Sequence, residues 1–163
     1  MRNEEKLTYI NIMIDSLKKK EELLVKLKEE TLKQASILAE QEFDADSFEK
    51  TIDVKQGYLD ELAKQDDGFM DMYSKVKETL ASDGAEYASE VELAKVLIKR
   101  QTDLSVELQS LEEKNRVKLA MHLSQGKQKV RDFRTSSRTA AAYYKNMSNH
   151  HQEGDSYFFN REK

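Results

Sequence analysis

The chain has 163 residues, 36% of them charged, a net charge of −4, three histidines and neither proline nor cysteine. Without cysteine there is no disulfide, thiolate metal site or cysteine nucleophile, a usage that fits a reducing compartment. Without proline and with five glycines, a single domain rich in Lys, Glu, Leu and Gln is built for long helices, because proline breaks helices and glycine weakens them.

The first predicted helix covers about residues 3–41. Leu7, Ile10, Ile14, Leu17, Leu24, Leu27, Ala35 and Leu38 recur at three- and four-residue steps, the mark of an amphipathic helix with a narrow seam. Glu21 and Thr31 fill gaps in that seam. At 1.5 Å per residue the helix is about 58 Å long, which indicates a bundle or coiled coil. The charged start "MRNEEKLTYINIMIDSLKKK" lacks a leader's apolar core, and no apolar run approaches the ~18 residues of a membrane span. These features predict a cytoplasmic location without membrane insertion.

"EFDADSFEK" predicts a turn near 42–46. Asp46 followed by Glu49 is a capping-box pattern, with Phe43 and Phe48 as a staple. The acids there lack the spacing and glycine of a calcium loop. A second helix, about 46–81, carries Phe48, Ile52, Leu59, Leu62, Phe69, Tyr73, Val76 and Leu80, with a kink or brief break expected at Gly68. "SDGAE", residues 82–86, is the next turn. The third helix, about 86–130, carries Val91, Ala94, Leu97, Leu104, Leu108, Leu111 and Leu119. Gln101 and Asn115 share that seam, where a polar residue usually fixes register. The expected fold is all-α: an elongated antiparallel bundle of three long helices, residues 1–134, followed by a short C-terminal helical segment and flexible aromatic tail, 135–163.

That C-terminal part differs in surface chemistry. Lys127, Lys129, Arg131, Arg134, Arg138 and Lys145 stand against Asp132 alone, a local charge of +5 within a chain that is −9 elsewhere. Five of the thirteen Phe and Tyr residues fall in the last 21 positions. Phe133, Tyr143, Tyr144, Met147, Tyr157, Phe158 and Phe159 are the candidate partner-binding residues, because so much apolar area in a charged chain calls for a surface to dock on. Burying one aromatic is worth about 1.5–3 kcal/mol, and ordering each tail residue costs about 1–2 kcal/mol. Docking is therefore expected to be marginal and reversible, as suits an exchangeable anchor.

No catalytic motif accompanies these features. His150 and His151 are adjacent and lack a third ligand, so no metal is expected, and His122 falls on or near the third-helix seam. Neither a phosphate-binding glycine loop nor an H-E-x-x-H motif occurs. The reading is a non-enzyme without cofactors. Arg131, Arg134 and Arg138 share one helical face beside Tyr143 and Tyr144, a pattern that can bind nucleic acid. In an acidic protein, with pI ≈ 5.5, such a cluster is more often a solvated face, so no nucleic-acid partner is expected.

"DADSFEKTIDVKQGYLDELAKQDD", with Lys55, Tyr58, Leu59 and Leu62 in a K-x-x-Y-L-x-x-L pattern after an acidic capped start, resembles the second helix of FlgN-type flagellar export chaperones. "LQSLEEKN", Leu108 to Asn115, is similar to a Leu-x-x-Leu-x-x-x-Asn stretch in that family's third helix. The resemblance covers roughly residues 5–120. It implies a cytosolic chaperone that binds hook-filament junction proteins (the hook-associated proteins), keeps their helical termini from misassembling and delivers them to the export gate. The sibling FliT-type chaperones, which serve the filament cap, are a second possibility. A structural coiled-coil protein that homodimerises through the same seams is the alternative from another class, and strict heptads would mark it.

Overall fold

The computed structural model describes residues 3–82, 85–125 and Ala142. Three helices make up the fold: α1 (Asn3–Ala39), α2 (Ala45–Ser82) and α3 (Ala88–Gln125). Among the described residues there is no strand. The fold is the expected all-α bundle of long helices, each about 55 Å in length. The short C-terminal helix and the tail expected at 135–163 lie outside the described residues, Ala142 apart.

From the end of α1 to the start of α3 the helix ends depart from expectation by one or two residues, at the α1–α2 turn for an identifiable reason. Residues 126–130 of the expected third helix lie outside the described residues. α1 stops at Ala39 rather than 41, and α2 is capped by Asp44, not Asp46. The Asp44 carboxylate accepts from the Ser47 backbone N–H (3.1 Å) and from Ser47 Oγ (2.7 Å), while its carbonyl accepts from Phe48 N. Asp44 therefore holds the N-cap place and Ser47 the third helical position, where the first unpaired N–H groups need an acceptor. Phe43 and Phe48 then flank the cap as the expected staple, with ring centroids 5.6 Å apart.

α2 also runs through Gly68 without the brief break allowed for there. Gly57 and Gly68 both have open space where a side chain would stand. They weaken the helix without serving a close approach.

α1 is the central helix. Its backbone runs close to both α2 and α3, whereas α2 and α3 meet mainly through long side chains. Cross-helix partners fix the directions. Ser16 meets Gln65 and Gln34 meets Lys55, so α1 and α2 are antiparallel. Leu17 meets Gln101 and Thr31 meets Asn115, so α1 and α3 are parallel.

The core is divided along the bundle into three apolar clusters. Ile10, Met13, Ile14 and Leu17 pack with Val76, Leu80, Leu97 and Ile98 at one end. Leu23, Leu24, Leu27, Leu59, Leu62 and Leu108 fill the middle. Leu38, Phe48, Leu119 and Leu123 close the other end. Of the expected seam, Leu7 is exposed, one turn beyond the first cluster.

Candidate binding surface

Two polar layers separate the three apolar clusters. In the first, Ser16 Oγ lies 3.1 Å from Gln65 Oε1, Lys20 pairs with Asp66, and Gln101 Nε2 donates to the Leu17 carbonyl (2.6 Å). In the second, Lys55 Nζ donates to Gln34 Oε1 (2.9 Å) and pairs with Glu112. Thr31 Oγ1 donates to the Leu27 carbonyl (2.7 Å), and Asn115 Nδ2 to the Thr31 carbonyl (3.0 Å). Lys55 and Glu112 are only 4% and 5% exposed.

Burial pushes the Lys20 and Lys55 ammonium groups below the usual lysine range, and the carboxylates of Asp66 and Glu112 pull part of that shift back. Each lysine is matched to a carboxylate on another helix, so both layers act on register and pairing.

The α1–α3 seam repeats with a constant offset. Gln101 to Leu17, Asn115 to Thr31 and His122 to Leu38 are all contacts between residues 84 apart. At the intervening step Leu24 and Leu108, both fully buried, take the same places. These are seven-residue steps, and the flanking pairs Glu21–Arg100 (2.9 Å) and Lys28–Glu107 (2.7 Å) repeat at the same interval. Thr31, which fills a gap in the first-helix seam, and Gln101 are heptad positions whose side chains bond to backbone carbonyls of α1.

The seam is used inside the molecule, and other apolar side chains are left uncovered. α3 also carries exposed apolar side chains away from its core seam. Opposite its core seam, Val106, Val117 and Met121 are 53%, 47% and 64% exposed. With Ser110 and Glu113, whose carboxylate pairs with Arg116, they lie along one side of the helix. Val106, Val117 and Met121 are the candidate partner-binding residues that the sequence reading missed. They lie off the core period, and only counting apolar residues on both faces of the helix would have found them.

On its core-facing side, the C-terminal end of α3 meets the α1–α2 turn. His122 Nε2 lies 2.7 Å from the Leu38 carbonyl, which places its proton on that nitrogen, and the His122 ring stacks on Phe43 at 5.1 Å. Glu40, Glu42, Asp44, Asp46 and Glu49 are all exposed at this end. Hydrogen bonds from the Ser47 hydroxyl and backbone hold the Asp44 carboxyl below its ordinary range.

Phe133, Tyr143, Tyr144, Met147, Tyr157, Phe158 and Phe159 lie outside the described residues, as do Lys127, Lys129, Arg131, Arg134, Arg138 and Lys145, His150 and His151. Among the described residues no three metal-ligating side chains come together, and no helix is long and apolar enough to cross a membrane. No family model, no curated protein and no solved structure matches the chain.

Proposed function

We propose that this chain is a non-catalytic, cytoplasmic secretion chaperone of the FlgN type. It would hold the helical termini of hook-filament junction proteins before export and hand them to the export gate. The observation that carries the reading is the line of exposed apolar side chains on the outer side of α3. A bundle whose core is complete has no internal use for Val106, Val117 and Met121 in water, and an amphipathic client helix laid along them would bury its own apolar side. Fully burying each such side chain is worth about 1.5–3 kcal/mol, a scale that suits capture followed by release.

The segments that resemble the family serve the bundle itself. Lys55, Leu59, Leu62, Leu108 and Asn115 are all buried, which leaves α3's outer face and the C-terminal aromatics for a partner. The scaffold alternative is less favoured, because the heptad seams it would use for a second copy are filled by the chain's own helices.

The test is titration calorimetry with purified hook-filament junction proteins and, separately, the filament-cap protein. Binding that weakens by about tenfold or more in Val117→Lys/Met121→Lys is the expected result. Absence of binding to every flagellar axial protein overturns the reading.

A further inference from the structure

The apolar stripe on α3 ends close to Gln125, the last described residue of that helix. Val106 to Met121 spans about 22 Å along the axis, and Met121 stands four residues before Gln125. From there the 38 residues Gly126–Lys163 continue. We propose that the stripe is occupied by this chain's own segment Lys127–Met147, which turns back along α3. Its arginines would lie over the acidic α1–α2 turn, and Ala140 and Tyr144 against Met121 and Val117.

Charge complementarity supports that occupant. Residues 1–125 carry 19 basic against 27 acidic side chains, a net of −8, whereas Lys127–Lys145 carries +5. The negative charge is concentrated where the segment begins. Glu40, Glu42, Asp44, Asp46 and Glu49 are exposed at the turn that His122 and Phe43 bind to the C-terminal end of α3. Lys127 follows two residues after Gln125. The pattern then changes from basic to apolar at the spacing a return requires: Ala140, Tyr144 and Met147 fall at i, i+4 and i+7, one helical face.

Size separates this occupant from a second copy. A single helix face of this length buries less than the roughly 1,000 Å² expected of a stable interface between free molecules. A segment tethered at the end of the same helix sees the stripe at an effective concentration of order millimolar and does not need that area. The stripe is the surface on which the export-client reading rests, so a client would have to displace this segment; no client enters the experiment, and the two readings fail separately.

The absence of cysteine makes disulfide trapping clean. Val117→Cys/Tyr144→Cys is compared in dilute solution with Val54→Cys/Tyr144→Cys, which moves the first cysteine to an exposed apolar position on α2 near the Lys55–Glu112 level. Retained helicity by circular dichroism confirms that both fold. The intramolecular disulfide of the Val117 pair should form at least about tenfold faster, and Arg131→Gln/Arg134→Gln/Arg138→Gln should remove most of that advantage by deleting the attraction to the acidic turn. Equal rates for the two pairs overturn the proposal. A disulfide that forms only between two chains also overturns it and assigns the stripe to a second copy.

Discussion

Lys55 and Glu112 form the most consequential pair in the molecule, because each is almost wholly removed from water. Breaking it by Glu112→Ala leaves an uncompensated ammonium beside Gln34 and should cost about 3–5 kcal/mol in urea denaturation. Replacing both partners, Lys55→Met with Glu112→Leu, should be neutral or stabilising by up to about 4 kcal/mol. The pair also has a pH signature. The Lys55 pKa is lowered on folding, chiefly by burial, so between that lowered value and the ordinary lysine range the unfolded chain binds more protons. Its contribution to stability must therefore rise with pH across that window. Subtracting the Lys55→Met melting profile from that of the wild type between neutral pH and pH 10.5 isolates the trend, and a falling difference would contradict it. The glycines of α2 offer a second residue-scale test. Open space at Gly57 and Gly68 means that Gly57→Ala and Gly68→Ala should each add roughly 0.5–1 kcal/mol. The burial of Lys20 and Lys55 was not legible in the sequence. A lysine between Leu17 and Leu24, or between Ile52 and Leu59, looks like a solvated position until its carboxylate partner on another helix is known.

At the scale of the helix, the seam between α1 and α3 was the most legible feature. Leu17, Leu24, Leu97, Leu108 and Leu119 sit in the core as their spacing required, and Gln101 and Asn115 share their face. What the sequence could not show was that those two amides reach the backbone carbonyls of α1, since either could equally have met a side chain. The α1–α2 turn shows a similar limit. Asp44 and Asp46 both stand before a helix, and only the backbone geometry selects the one whose carboxylate meets the third helical N–H. Gln101 provides the element-scale prediction. Its Nε2 donates to the Leu17 carbonyl, but its Oε1 is buried with no hydrogen-bond partner among the described residues. An acceptor left in that condition costs about 1–3 kcal/mol. Leucine at this fully buried position continues the apolar seam, and the Leu17 carbonyl lies within α1, where the helix ladder supplies another donor. Gln101→Leu should accordingly raise stability by about 1 kcal/mol with an unchanged denaturant slope. A loss of stability would mean that the amide contributes more through register than its unpaired oxygen costs.

At the scale of the whole molecule, three parts of the sequence have separable uses. The heptad seams close the bundle on itself, the two polar layers set how the helices align, and the outer face of α3 is left with apolar side chains that neither use explains. The first was readable from periodicity. The third was hidden because a helix with apolar residues on both sides blurs the very period by which helices are recognised. This division fixes an expectation for the solution state. Every long seam is already paired within one chain, and the residual stripe is a single helix face, too small by itself to hold two free molecules together. The chain should therefore run as an elongated monomer of 18.9 kDa in light scattering at micromolar concentration, with the same mass for Val117→Lys/Met121→Lys. A dimer in the wild type that those lysines dissociate would show the α3 stripe to be a self-association surface. A dimer indifferent to them would place the contact on another face, and either dimer would contradict the claim that the seams are satisfied within one chain or that the stripe is too small to pair.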